Sequence, residues 1–262
     1  MGLGLGAHGW LPEQGRALRP TTDRLLRAAG VSEGMAVLDI YCGPGDVAMM
    51  AADRVGHSGR VIGIDPRAEV IDWAQLRSAA AGYTNIEYRR ADLADPWLSS
   101  SRFDAVLCRH VVIGQREPVR FLRSASRFVR NDGILALHEM DMSRDIRSSP
   151  PLAMLRVVNQ TIHTAVERSG VLLDAGGRLV DLFDEAELPN PQLFSESVVA
   201  TGEDRSVFSL ITAVLSSLIP HLTASEIAAI DIETLEQRLR HAALTLRSQV
   251  EFIPQVCAWT RL

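Results

Sequence analysis

At 262 residues with 47% hydrophobic and 23% charged content, the chain can bury a sizeable core as one large domain or one domain plus a cap, and two independent domains are disfavoured. A net charge of −5 and a pI near 5.8 supply no basic face for nucleic acid, so a small-molecule partner is expected. All 27 basic residues are arginine, which excludes Schiff-base chemistry on a lysine and a P-loop lysine.

Cys42, Cys108 and Cys257 are far apart and odd in number. Neither a disulfide framework nor a zinc knuckle is suggested, and no metal site is expected. The glycine-rich start, Met1 to Gly6, lacks a basic region and a long apolar core, so it reads as neither a signal peptide nor a membrane span. A reduced, cytoplasmic setting without membrane association is the expectation.

In chain order, Pro20-Thr21-Thr22 precedes a run from Asp23 to Ala29 closed by Gly30, the pattern of a capped helix. Val37 to Ile40 is an apolar strand interrupted only by Asp39, and it runs into the turn Tyr41-Cys42-Gly43-Pro44-Gly45-Asp46 and a helix from Val47 to Val55. Such a turn lets a ligand approach the backbone where glycine has no Cβ, with the free amides of the next helix pointing at it. Arg60 to Asp65 is a second buried strand ending in an acid, twenty residues beyond Gly45. At that separation a carboxylate on the neighbouring strand tip can accept hydrogen bonds from ribose hydroxyls.

A helix from Ala68 to Ala81 and a strand from Ile86 to Arg90 lead to Asp92, a third acid at a strand tip. Phe103 to His110 is a fourth strand, Glu117 to Val129 a helix, and the turn Asn131-Asp132-Gly133 opens a fifth strand from Ile134 to His138. Five strand-helix units with short connections imply a parallel sheet. Beyond Pro150 the chain reads as helices at Leu152 to Ser169, Arg178 to Leu188 and Val207 to Leu218, with a fourth started by the capping box Thr223 to Glu226. Strands are expected at Gln192 to Ala200 and Gln249 to Thr260.

The stretch Asp39 to Asp46 resembles motif I of the class I S-adenosylmethionine-dependent methyltransferases, an acid followed by three alternating glycines. Asp39, Gly43 and Gly45 stand at the motif's spacing, Tyr41 replaces the first glycine, and Asp46 follows directly. A plain strand-turn-helix corner of another α/β protein shares this outline, but the later acids follow the family's spacing. The resemblance is detailed from about Thr21 to Met140, continues more weakly to Leu262, and is closest to enzymes of quinone and natural-product biosynthesis. It implies an α/β, Rossmann-like fold with a seven-stranded, mostly parallel sheet, helices on both faces, and a C-terminal helical cap. Residues 1–150 would form the cofactor-binding core, and 151–262 the last two strands, the final one antiparallel, plus the substrate-binding cap, all one continuous domain.

The resemblance also implies the site. S-adenosylmethionine would be held at its methionine end by Asp39 and the backbone around Tyr41, Gly43 and Gly45, with the carbonyl of Arg109 near its ammonium group. Asp65 with Pro66 would take the ribose, and Asp92 with Leu93 the adenine, a solvated loop aspartate being the alternative for Asp92. The segment from His8 to Arg19 would fold over the cofactor, with Arg16 either meeting a carboxylate or left in solvent. His110, at the carboxyl end of the fourth strand, is the candidate general base for a hydroxyl acceptor, or else a histidine that only packs locally. His138, Glu139 and Asp141 gather at the fifth strand's end, where they could contact substrate or stay solvated, and His163 falls in the cap. The expected activity is methyl transfer to a small molecule by a monomer or homodimer. The alternatives are a cofactor-binding protein with non-methylating chemistry and an NAD(P)-dependent oxidoreductase.

Overall fold

A computed structural model describes residues 12–98 and 101–262. The chain begins with α1 (Pro12–Ala29), then alternates β1 (Ala36–Ile40), α2 (Asp46–Val55), β2 (Arg60–Asp65), α3 (Ala68–Ala80), β3 (Ile86–Arg90), β4 (Phe103–Arg109), α4 (Pro118–Ser126) and β5 (Val129–Met140). Then follow β6 (Arg147–Ser149), α5 (Ala153–Ser169), α6 (Leu179–Glu185), β7 (Gln192–Glu196), β8 (Val199–Thr201), α7 (Ser206–Leu218), α8 (Ala224–Ile230), α9 (Ile232–Leu246), β9 (Gln249–Glu251) and β10 (Gln255–Arg261).

The main sheet has seven strands in the order β3-β2-β1-β4-β5-β10-β7. The strands from β1 to β5 are mutually parallel, and β10 runs antiparallel to both β5 and β7. Strand order reverses beside β1, so the carboxyl ends of β1 and β4 flank the crevice where open α/β sheets bind ligands.

Side-chain alternation sorts each strand onto two cores. Val37, Val61, Ala105, Leu107, Ile134 and Ala136 face α1, α2 and α3, while Leu38, Ile62, Val106, Leu135 and Leu137 face α4 and α6. The same period decides the polar residues. Asp39, Arg109 and His138 fall in register with the α1/α2 face, and Glu139 with the other.

Several boundaries differ from the sequence reading. The first helix begins before Thr21 and runs through Pro20, and Thr22 sits inside it with its hydroxyl oxygen 3.1 Å from the Leu18 carbonyl. Asn131, Asp132 and Gly133 lie within β5, at an irregularity where Asp132 adopts φ 60°. The run from Gln192 to Ala200 splits into β7 and β8, and that from Gln249 to Thr260 into β9 and β10, because each crosses from the main sheet to a three-stranded sheet ordered β6-β9-β8. Phe252, Ile253 and Pro254 make the second crossing. The helix begun by Thr223, whose capping box is present, breaks at Asp231 with φ 47° before α9. Helix α6 belongs to the sheet rather than to the cap, since Leu179, Leu182 and Phe183 pack in the α4-side core. The cap core is built from α5, α7, α8, α9 and the small sheet, with Leu18 of α1 and Met140 of β5 inserted into it.

One packing choice beside the crevice is testable. Gly63 on β2 pairs with Tyr88 on β3, and a Cβ there would lie 2.7 Å from the Tyr88 ring and 3.0 Å from Cys42 Sγ. Tyr88 is fixed by a 2.7 Å hydrogen bond between its hydroxyl and Ser78 Oγ, so it has little freedom to yield. Gly63→Ala is expected to destabilise the fold by about 1–3 kcal/mol through overpacking, read as a lower urea midpoint.

Candidate functional site

The chain leaves β1 through a turn in which Tyr41 (φ 53°), Gly43 (φ 53°) and Gly45 (φ 87°) are all left-handed. Tyr41 is the costly one, because a side chain in this region is strained by about 1–2 kcal/mol, and strain of this kind gathers at functional sites. The two glycines serve different ends. A Cβ on Gly45 would collide with the Tyr88 hydroxyl, whereas one on Gly43 would meet nothing within 4 Å. Gly43 therefore leaves open space against the backbone, beside the amino end of α2. Asp46, the residue after Gly45 and the first of α2, is turned away into a fork with Arg77, at 3.1 and 3.0 Å. α1 presses onto the turn here, with Gly15 against the Asp46 carboxylate.

The three strand-tip acids differ in state. Asp39 is buried, and its Oδ2 has no hydrogen-bond partner among the described residues. Burial raises its carboxyl to about pKa 7 against the lowering effects of the nearby Arg109 charge and a hydrogen bond from the backbone of Ala48. Such an orphaned acid is what a cationic ligand would satisfy. Asp65 is also buried but fully engaged. Arg67 grips it through Nε and Nη2, both at 2.9 Å, its own amide at 3.1 Å completes the hold, and Gly43 N–H donates at 3.3 Å. Hydroxyls arriving at Asp65 would have to share it with Arg67, whose side chain is partly exposed. Asp92 is exposed, and its Oδ1 accepts from Ala94 N–H at 2.7 Å. Pro66 is exposed, Leu93 is partly buried against the α4-side core, and the half-buried Tyr41 ring lies 6.3 Å from Phe121, close enough to Asp65 and Asp92 to feel their charge.

At the end of β4 the arrangement is more elaborate than sequence implied. His110, with φ 55°, directs Nε2 at Gln255 Oε1, 3.0 Å away, and His138 Nε2 reaches the same oxygen at 3.1 Å. His138 Nδ1 lies 3.0 Å from Thr22 Oγ1, which Arg109 Nη1 approaches at 3.3 Å. Burial, followed by the Arg109 charge, depresses His110 to a pKa of about 3, and burial, followed by the neighbouring His110 and then Arg109, holds His138 well below the usual histidine range. Both rings are therefore neutral at physiological pH.

The acids and histidine at the end of β5 do not face outward as a substrate surface. His138 is sealed between Thr22 and Gln255. Glu139 turns to the opposite face, where its carboxylate accepts from the amides of Val111, Val112 and Ile113 at 2.9, 2.8 and 3.3 Å. Burial lifts Glu139 to about pKa 7 against the pull of those amides. Asp141 is taken up by the amide and hydroxyl of Ser143, and His163 on α5 pairs with Asp145 at 3.5 Å. Arg16 is exposed, and the start of the predicted covering segment, at His8, lies outside the described residues. Sequence reasoning missed Gln255, Thr22 and the side-chain role of Arg109. The available signal was a glutamine between apolar neighbours in the last strand, a residue type seldom buried without partners.

Residues 31–197 match the family described as "Methyltransferase domain". The chain is 36% identical over 88 residues to the nocamycin O-methyltransferase of Saccharothrix syringae, covering 34% of this chain and 31% of that protein. It is 33% identical over 105 residues to the chloroplastic 2-phytyl-1,4-beta-naphthoquinone methyltransferase of Arabidopsis thaliana, covering 39% of each. It thus spans well under half the length of these two curated relatives. A putative methyltransferase structure from Bacillus halodurans superposes with a TM-score of 0.62 at 16% identity, covering 92% of this chain and 98% of that one, which shows the shared fold. The oxidoreductase alternative gives way to this match.

Proposed function

Because the chain belongs to the methyltransferase-domain family, we propose that it transfers a methyl group from S-adenosylmethionine to a small-molecule acceptor in secondary metabolism. Relatives named for O-methylation of nocamycin and methylation of a naphthoquinone support that acceptor class. The observation that carries the reading is the buried, unpartnered oxygen of Asp39 beside the open space at Gly43, which fits a cofactor that carries an ammonium group on its amino-acid end.

When bound, S-adenosylmethionine supplies a methyl group on a positively charged sulfur, open to in-line displacement. This chain's residues hold and align. Asp39 and the Arg109 carbonyl would take the ammonium, the backbone at Tyr41, Gly43 and Gly45 the methionine end, Asp65 and Pro66 the ribose, and Asp92 and Leu93 the adenine. His110, neutral and with Nδ1 bare, accepts a hydrogen bond from the hydroxyl of the acceptor, in the position of a base. Its low basicity makes it an aligning group first, and alignment with exclusion of water accounts for most of the rate in such a displacement. No helix among the described residues is long and apolar enough to cross a membrane. A cytoplasmic monomer or homodimer that does not bind nucleic acid completes the proposal, in line with the net charge of −5.

The test is incubation with methyl-labelled S-adenosylmethionine and panels of phenols, enols and amines. Label is expected in one acceptor class with matching release of S-adenosylhomocysteine, and cofactor bound but never demethylated across the panel would count against methyl transfer. In calorimetry, Asp65→Ala is expected to weaken cofactor binding by about 1–3 kcal/mol through lost hydrogen bonds. An unchanged affinity would remove Asp65 from the site.

A further inference from the structure

Arg109, Thr22, His138, Gln255 and His110 form one chain of hydrogen bonds joining α1, β4, β5 and β10. We infer that Gln255 is a positioning residue which selects the tautomer of His110, so that Nδ1 rather than Nε2 is the bare nitrogen presented to the acceptor. The role toward the acceptor rests on the reading of His110 above; the tautomer selection does not.

The argument begins with the amide of Gln255. Its Nε2 donates to the Ile253 carbonyl at 3.0 Å, which turns Oε1 toward the two histidines. A carbonyl oxygen can only accept. The ring nitrogens at 3.0 and 3.1 Å from it must therefore both carry protons, and because both rings are neutral, both Nδ1 atoms are bare. With Nδ1 bare, His138 takes the single Thr22 hydroxyl proton at 3.0 Å in place of the Leu18 carbonyl at 3.1 Å, and the Thr22 oxygen in turn accepts from Arg109. For His110 Nδ1 no partner exists among the described residues.

The geometry also holds His110 in place. Its left-handed backbone is pinned by a 2.8 Å hydrogen bond from its amide to the His138 carbonyl, and its ring stands edge-on to His138 with centroids 5.3 Å apart. Burial and Arg109 keep a second proton off either ring. Glutamine suits this position because it accepts two hydrogen bonds without a charge that would draw the rings into the imidazolium form.

The test is nitrogen-15 NMR of histidine-labelled, cofactor-free protein, in which protonated and bare ring nitrogens are distinct. His110 and His138 are expected as Nε2–H tautomers through the ordinary histidine range around 6.5. Gln255→Met, which removes the acceptor at similar size, should shift His110 toward the Nδ1–H form. Gln255→Glu should keep Nε2–H but raise both histidines' affinity for a second proton. The methionine variant should also lose roughly 10-fold or more in kcat, a fraction of what a positioned proton-handling group contributes, with little change in cofactor KM. An Nδ1–H tautomer at His110 in the unsubstituted protein, or a folded methionine variant with unchanged tautomers, would overturn the inference. If the tautomers behave as expected but His110→Ala leaves turnover intact, the acceptor-facing role fails while tautomer selection stands.

Discussion

Asparagine in place of Asp39 is expected to weaken S-adenosylmethionine binding roughly 10- to 100-fold while making the free protein more stable at neutral and alkaline pH. The opposite signs have one cause. The carboxylate is buried with one oxygen unpartnered, and a hydrogen bond to a charged group is worth about 1.5–3 kcal/mol once a partner arrives. Without the partner, the buried charge works against the fold.

The pH dependence follows from the folded pKa of about 7 against an ordinary value of 3.8. A group raised in this way favours the folded state most below its unfolded pKa, and that contribution is lost as pH rises through 7. The stability advantage of Asp39→Asn should therefore grow between acidic and mildly alkaline pH. Binding of an ammonium group favours the ionised acid, so below pH 7 cofactor binding should release a proton. Calorimetry in buffers of differing ionisation enthalpy reads this directly. Equal affinity in the two proteins would show that Asp39 does not meet the cofactor.

Glu139→Ala should be the most damaging substitution near the site that touches no ligand. It would strand the amides of Val111, Val112 and Ile113 in a buried segment, at a cost of about 3–5 kcal/mol, and free the chain that follows His110. Turnover should fall with stability, because the segment after β4 would no longer be held. Glu139→Gln preserves the shape and one acceptor oxygen and should cost about 1 kcal/mol. Glu139 is also raised, from 4.5 to about 7, so its contribution too is lost as pH rises through 7. The glutamine variant should accordingly show a flatter dependence of urea midpoint on pH across that range. An alanine variant as stable as the unsubstituted protein would contradict this role.

Much of the fold was legible because it rests on local periodicity. Val37 to Ile40, Arg60 to Asp65 and Ile86 to Arg90 read as strands from their own residues, and the acids at or just beyond their tips followed from spacing. Asp39 and Asp65 proved to be buried at the crevice, but their different states were not legible, because Arg67 occupies Asp65 while nothing described reaches Oδ2 of Asp39. The network around His110 was hidden for a different reason. His110 and Gln255 are separated by 145 residues and meet only because β10 inserts beside β5 in the sheet. His138 and Glu139, adjacent in sequence, looked like a cluster until strand alternation sent them to opposite faces. The split of the last two strands depended on a second sheet that no single segment encodes.

The central claim is tested most directly by titrating the purified protein with S-adenosylhomocysteine, and separately with NAD, in a calorimeter. The account predicts saturable one-to-one binding of the sulfur nucleotide, diminished in Asp39→Asn and Asp65→Ala, and no response to NAD. Binding of NAD with no heat from S-adenosylhomocysteine would contradict it.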